Sequence, residues 1–435
     1  MPDPRTIDAD VVVIGGGASG LAAAIAAARA GAHVAVLERD VACGLPILAT
    51  GNGRCNVSNV RLDPARYRDA AAARAVLGET AEDDLARFFE SMGLMTCPVE
   101  DRLYPVTLRA ESVRDVLLAV CEREGVQMLC GAELTEMRRE GTGWRLTARC
   151  PERPVRPARD VSGKLDVRRA RKALAAAPMG ECEVAARCAV VAVGGASARI
   201  CELIGLPHVD ELPVLCPVAC EPALSGTGSL STLDGLRVEG ALTLVRASED
   251  IYREEGEVLF RGYGLSGVVV FDLSRRVRPG DTLELDLFPR LSTGDLMGLM
   301  RSREEVLGTF DGGDAAWFDG MLARPLASFV LGALAADVEP GCDGMRGDLV
   351  TRTAKLLHRL PFAVVGTAEH KQAQVRRGGI PLTAVKIATL QAAPGLFACG
   401  EALDQDADCG GYNLAWAWAS GMRAGVSAAN AAAAR

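Results

Sequence analysis

Three clusters of small, polar and acidic residues have the composition of a ligand cradle. The first is Gly15-Gly16-Gly17-Ala18-Ser19-Gly20, answered further on by Glu38 and Arg39. The Gly15-x-Gly17-x-x-Gly20 spacing suits a diphosphate. The first glycine permits a tight turn, the second lets backbone approach phosphate oxygens, and the third lets a helix pack closely on its strand. The free N–H groups and positive dipole end of that helix then face the anion, and Glu38 is spaced to accept hydrogen bonds from an adenosine ribose. The second cluster, Gly51-Asn52-Gly53-Arg54-Cys55-Asn56, joins a tight glycine backbone to the donors of Arg54 and Asn56. The third is Gly400-Glu401 with Asp404, followed by Gly410-Gly411-Tyr412-Asn413-Leu414. A bare backbone beside an acid suits a polyol chain, and the Gly-Gly turn aims a second helix N-terminus at a ligand.

The elements around these clusters are legible from hydrophobic patterning. An apolar β-branched run at 11–14, an alanine-rich helix at 21–30, Gly31 at its C-terminal cap and a strand at 32–37 make one βαβ unit. Strand, helix and acid agree, so the unit reads as a dinucleotide site, without saying which dinucleotide. Residues 190–193 form an apolar strand that enters Gly194-Gly195, which fits backbone passing close to a cofactor. Helical spacing covers 81–92 and 111–123, and strands are expected at 126–130, 133–138 and 144–148. Residues 150–179 carry Pro151, Pro154 and Pro157 and a basic run through Arg168, Arg169, Arg171 and Lys172. They read as an exposed, partly disordered insertion between two strands, its charge a solvated face. From Pro213, short β-rich runs split by glycine and proline indicate a barrel or sandwich insert. Inside it Gly262-x-Gly264-x-x-Gly267, with Glu284 beyond, formally repeats the diphosphate spacing. Structural glycines are the preferred reading there, because 268–276 is β-branched. Residues 294–337 read as mainly helical. Near the end a strand runs into Gly400-Glu401, and a small-residue helix starts near Asn413.

The bulk properties narrow the function. A chain of 435 residues, 49% hydrophobic and 24% charged, has room for two or three domains. A net charge of -8 argues against a nucleic-acid partner and against a polybasic membrane anchor. The apolar stretch 11–30 follows Asp3, Asp8 and Asp10 rather than a basic segment, so it does not read as a leader, and no apolar run is long enough for a membrane span. Fourteen scattered cysteines without C-x-x-C fit reduced thiols in a cytoplasmic protein with no metal site. Disulfide-reducing flavoproteins place a second cysteine where Leu48 follows Cys43, which excludes that dithiol. His33, His208, His358 and His370 form no catalytic pattern.

Four motifs then carry a resemblance: IGGGASG at 14–20, TGNGRCNVSN at 50–59, GYGLSG at 262–267 and GLFACGEALDQDADCGGYNLAWAWASG at 395–421. In order and spacing the chain resembles the bacterial FAD-dependent three-domain flavoproteins often called aminoacetone-oxidase-like, which include bile-acid 3-oxo-Δ4/Δ6 reductases. The resemblance implies an α/β fold. Its Rossmann-like FAD domain would be formed from both chain ends (1–212 and 366–435, with 150–180 exposed), with a β-barrel insert at 213–289 and a helical insert at 290–365. It implies FAD with its pyrophosphate at Gly15, Gly17, Ser19 and Gly20 and its adenosine ribose at Glu38. Adenine would lie by the Leu134 backbone and the cofactor's middle along Arg54, Cys55 and Asn56. Gly400, Glu401 and Asp404 would hold the ribityl side, and Asn413 and Leu414 the flavin ring. The chain departs from the family at Leu45-Pro46, at Thr50-Gly51-Asn52-Gly53, at Arg261-Gly262, where Thr-His is usual, and at Arg376, where a threonine is usual. Cofactor binding survives these changes, whereas substrate identity does not carry across them.

The expected activity is therefore an FAD-dependent oxidoreductase with NAD(P)H as transient electron donor. Its leading substrate is a small steroid- or bile-acid-like enone whose activated C=C bond is reduced. Tyr412 and Tyr263 are the candidate proton donors. Two alternatives stay open: an oxidase of small primary amines that releases H2O2, and a non-catalytic flavin-binding or redox-sensing protein. The sequence does not give the oligomeric state.

Overall fold

The computed structural model describes residues 5–160, 163–336, 348–369 and 373–434. Two compact units emerge, Met1–Leu212 with Val375–Arg435, and Pro213–Gln374.

The first unit is built on a sheet whose central strand is Arg5–Ile14. Val11, Val12, Val13 and Ile14 are buried on both faces, as a β-branched run in a parallel sheet should be. It pairs in parallel with Val34–Glu38 on one side and Met179–Val191 on the other. Gln127–Cys130 extends the sheet beyond Val34–Glu38. Leu396–Ala398 joins in parallel along the C-terminal half of Met179–Val191, so strands from both chain ends share one sheet. The antiparallel hairpin of Glu133–Glu140 and Gly143–Pro151 occupies the other half of that long strand.

Helix Ala18–Arg29 follows the central strand and is covered by the C-terminal helix Tyr412–Ala433. Their approach is set by small residues. A Cβ on Gly421 would stand 2.4 Å from the Ser19 carbonyl oxygen, and one on Gly425 2.2 Å from that of Ala23. Larger side chains at these positions would push the helix axes apart.

The 150–179 excursion differs from expectation. It contains a helix, Val167–Ala175, capped by the Asp166 carboxylate on the Arg169 N–H (3.0 Å). Arg171 grips Asp40 through Nε and Nη2 (3.1 and 2.6 Å). Ala170 is buried with Val41, Ala42 and Leu45, and Val167 and Leu174 pack on them. The prolines and basic residues masked this short helix, which depends on tertiary contacts more than on its own propensity.

The second unit is a closed six-stranded antiparallel barrel, in spatial order Val218–Pro222, Gly264–Ser266, Glu249–Arg261, Arg237–Arg246, Thr282–Asp286 and Leu360–Thr367. The last strand starts inside the expected helical insert (290–365), so the barrel does not close within 213–289. Helices Thr293–Leu307, Arg324–Ala336 and Leu349–His358 come before it. They bury their apolar faces in the barrel's own core, where Phe329 of the second helix stacks on Phe362 of the closing strand (6.2 Å). Barrel and helices are thus one packed body. Gly264 and Gly267 are structural: a Cβ on Gly264 would fall 2.1 Å from the Val218 carbonyl oxygen, and one on Gly267 2.7 Å from that of Glu257. Among the described residues no helix is long and apolar enough to cross a membrane.

Candidate cofactor site

The site is assembled at the C-terminal ends of the central strands, where a doubly wound sheet offers its crevice. A Cβ on Gly20 would meet the Gly15 carbonyl oxygen at 1.9 Å, which fixes the turn between strand and helix. A Cβ on Gly17 would meet nothing within 4 Å. Gly17 is the helix N-cap and supplies no side-chain cap, so the first turn presents its N–H groups towards open space. An anion is the natural partner of such a terminus, and the cradle fits a diphosphate. Ala18 is half-buried and Ser19 buried at the helix start.

Glu38 closes the adenosine side. Its Oε2 accepts from the Gly16 N–H (2.7 Å) and its Oε1 from the Asp40 N–H (2.8 Å). Each carboxylate oxygen keeps a second lone pair for a ribose hydroxyl. Arg39 beside it is exposed. The N–H groups of Gly131 and Ala132 bond to the carbonyls of Asp40 and Glu38 (2.8 and 2.9 Å), which brings the segment leading into Leu134 against this end of the site. The Leu134 side chain itself lies in the core.

Residues 51–56 form a tight backbone. Gly51, Asn52, Gly53 and Cys55 all take left-handed conformations, while Arg54 between them is right-handed. The N–H groups of Arg54 and Cys55 turn inward and donate to the carbonyls of Gly51 and Thr50 (3.1 and 3.0 Å), which closes the loop on itself. Arg54 lies over the Tyr104 ring at 5.3 Å. Cys55 is buried, which pushes its thiol up to about 11. The Asn56 amide, oriented to satisfy its neighbours, accepts from the Gly411 N–H (3.0 Å) and donates to the Ser58 and Leu103 carbonyls. The second cluster is thereby locked onto the third.

Gly400 joins the third cluster to the first. It is left-handed (φ 67°), and a Cβ there would sit 2.3 Å from Ser19 Oγ. Its N–H donates to Ser420 Oγ (2.9 Å), and its carbonyl accepts from Trp416 Nε1 (3.0 Å). Glu401 accepts from the Arg376 N–H (2.9 Å) and lies against Gly195, where a Cβ would be 2.6 Å from its Oε1. Burial, reinforced by the charge of Glu211, pushes the Glu401 carboxyl up to about 7. Gly194, left-handed, faces open space. Asp404 pairs with Arg68 and accepts from the Gly378 N–H (3.0 Å). Gly411 is the N-cap of the C-terminal helix, again without a side-chain cap. The Asn413 side chain turns back to the Ala407 peptide, accepting from its N–H (2.9 Å) and donating to its carbonyl (2.8 Å). The helix N-terminus at Asn413 and Leu414 can therefore meet a ligand through backbone N–H groups.

The two candidate tyrosines sit in different surroundings. Tyr412 is buried in the core, its ring edge-on to Tyr67 at 5.9 Å, while its carbonyl accepts from the Tyr67 hydroxyl (2.9 Å). That is a packing environment. Tyr263 belongs to the barrel unit. It is half-buried near the Arg261 guanidinium, and burial and a hydrogen bond to Glu369 push its phenol up to about 12. His370 lies outside the described residues.

Sequence reading missed the cations that hold the 404–408 loop. Arg377 grips Asp406 (2.7 and 2.9 Å), and Arg66 reaches Asp408 (3.5 Å). Tyr67 forms an antiparallel bridge with Ala407. The matched alternation of Arg66-x-Arg68 and Asp404-x-Asp406-x-Asp408 was the available signal.

Comparison with known proteins follows the same lines. The family model described as the HI0933-like protein Rossmann domain matches residues 9–159 and 237–427. The chain is 27% identical to a 3-dehydro-bile acid delta(4,6)-reductase of Clostridium scindens, over 96% of this chain and 98% of that protein. It is 23% identical to a ribosomal RNA dihydrouridine synthase of Haemophilus influenzae, over 96% and 97%. Among solved structures, a 3-ketosteroid-delta4-(5alpha)-dehydrogenase of Rhodococcus jostii RHA1 superposes with a TM-score of 0.42 at 17% identity, covering 98% of this chain and 99% of that one.

Proposed function

The chain belongs to the HI0933-like Rossmann-domain family of FAD-dependent oxidoreductases, and on that premise we propose that it reduces the C=C bond of a small steroid- or bile-acid-like enone with electrons from NAD(P)H. The observation that carries this reading is that two relatives aligned over 96% of the chain are named for one kind of reaction. A 3-oxo-Δ4,6 system is a pair of C=C bonds conjugated with a ketone. Dihydrouridine differs from uridine by saturation of a C=C bond conjugated with a carbonyl.

Bound FAD supplies hydride chemistry at its N5. The chain's own residues hold and bias it. The Gly15–Gly20 turn would seat the pyrophosphate, Glu38 the adenosine ribose, residues 51–56 the middle, and Gly400, Glu401 and Asp404 the ribityl hydroxyls. The helix N-terminus at Asn413 and Leu414 would put partial positive charge beside the ring edge that becomes anionic on reduction, favouring the reduced form. Enone reduction also needs a donor at the carbonyl oxygen and a proton for the α-carbon. Net charge of -8 favours a small substrate over RNA.

Anaerobic flavin spectroscopy tests the reading. The purified protein should be yellow, NADH or NADPH should bleach it, and a 3-oxo-Δ4 steroid should restore the colour. Recovery with a uridine-containing ribosomal RNA fragment but no steroid would move the substrate to RNA. Bleaching by a small amine, with H2O2 released in air, would replace reductase by oxidase. Failure to bind FAD at all would remove the premise.

A further inference from the structure

Cys43 and Cys130 lie 87 residues apart in the chain, yet their Sγ atoms stand 3.8 Å from each other. The sheet brings them together. Cys130 ends the strand Gln127–Cys130 and is the register partner of Glu38. Cys43 sits in the loop that leaves Glu38, where Arg114 Nε donates to its carbonyl (2.9 Å) and the next N–H, of Gly44, donates to the Gly16 carbonyl (2.7 Å). Cys43 is buried and Cys130 half-buried, so a small oxidant reaches Cys130 first.

We infer that Cys43 and Cys130 form an oxidisable thiol pair, closed to a disulfide by hydroperoxides, beside the diphosphate turn. The Cys130 thiolate attacks the peroxide O–O bond, giving the sulfenic acid and an alcohol or water. The Cys43 thiol then displaces the hydroxyl as water and forms the S–S bond. The peroxide is reduced by two electrons and the two thiols are oxidised by two. Sharing of the Cys43 proton holds the Cys130 thiol below its usual value and pushes Cys43 up. The neighbouring Arg114 charge also favours the Cys130 thiolate.

The bond has a mechanical consequence. A Cβ on Gly16 would lie 2.5 Å from Cys43 Sγ and 3.1 Å from Glu38 Oε2, so the sulfur and the carboxylate flank the same glycine. Closing the sulfurs from 3.8 Å to about 2 Å shifts the Cys43 sulfur that flanks Gly16. The support of the Gly16–Glu38 hydrogen bond changes with it. Oxidation should therefore weaken cofactor retention. This link rests on the FAD reading above, whereas the thiol chemistry does not.

The full chain, as purified, is titrated with hydrogen peroxide. Remaining thiols are alkylated, and the digest is read by mass spectrometry with and without dithiothreitol. A Cys43–Cys130 cross-linked peptide should accumulate before other cysteines oxidise, and dithiothreitol should reverse it. Cys43→Ser should leave a Cys130 sulfenic acid that dimedone traps, and Cys130→Ser should abolish the cross-link. FAD fluorescence, followed in parallel, should show release on oxidation of the wild type and not of Cys130→Ser. Overoxidation of Cys130 without a cross-link, or no reaction at either thiol, overturns the pair. A cross-link without FAD release refutes the coupling alone. A cross-link in protein that binds no FAD counts against the cofactor reading, not against the thiols.

Discussion

At Glu401 a carboxyl is closed in between Gly195, the Arg376 backbone and the charge of Glu211, and burial raises it from 4.5 to about 7. The sign of the effect on stability follows from linkage. Because the folded pKa lies above the unfolded one, the folded state holds the proton more tightly. Its relative stabilisation is complete below about 4.5 and is lost as pH rises through about 7. Glu401→Gln lacks the titration. The melting temperature of the cofactor-free wild type, minus that of Glu401→Gln, should therefore fall between pH 4.5 and 7 and stay flat above. A difference that is constant across pH 4.5–8 would show that the carboxyl is not enclosed. The residue was legible as an acid after glycine at a strand end. That Gly195, Arg376 and Glu211 would surround it was not, because each comes from a different stretch of chain and only the fold gathers them. The same holds for Cys130. Its partner Cys43 is 87 residues away along the chain and is brought beside it only by the sheet.

Helix Ala18–Arg29 shows how one element divides glycine's duties between its start and its flank. At the start, Gly17 faces open space, so an added methyl disturbs nothing in the protein and protrudes where a diphosphate would lie. At the flank, a Cβ on Gly425 of the covering helix would stand 2.2 Å from the Ala23 carbonyl oxygen, and a backbone neighbour cannot give way as a flexible side chain would. Gly17→Ala should melt like the wild type without cofactor yet lose FAD affinity by about tenfold or more, close to 1.4 kcal/mol. Gly425→Ala should lower stability by about 1–3 kcal/mol through overpacking. Denaturant titration beside FAD binding separates the two, and equal melting of both variants would sink the distinction. Elements with their own periodicity were legible: the βαβ unit, the helices near 81–92 and 111–123, and the C-terminal helix. Those that exist through distant partners were not. Helix Val167–Ala175 is anchored by Asp40 and by the Val41–Ala42–Leu45 cluster. Strand Leu360–Thr367 earns its place by closing a barrel begun at Val218–Pro222, far earlier in the chain.

At the scale of the molecule, the two units have separate hydrophobic cores with no residue in common. The barrel unit has every strand of its sheet paired on both sides, which leaves no open edge to protect, and its helices bury their apolar faces inside the same unit. Pro213–Gln374 thus contains what a domain needs to fold by itself. The other unit is discontinuous, but its break is short in space. Strands Val209–Val214 and Val375–Gly379 pair with each other, the Gln374 N–H reaches the Leu215 carbonyl (3.3 Å), and Gly378 abuts the Asp210 carbonyl. A few glycine and serine residues joining Leu212 to Val375 should bridge that gap without strain. Every residue assigned to the cofactor lies in this unit. The rejoined unit should therefore fold and retain FAD, while Pro213–Gln374 alone should melt in one cooperative transition and bind none. Calorimetry and the flavin absorbance of the two purified fragments decide the matter. A rejoined unit that folds but stays colourless would mean that the cofactor needs residues from Pro213–Gln374. A barrel fragment without a cooperative melt would mean that its core is not self-sufficient.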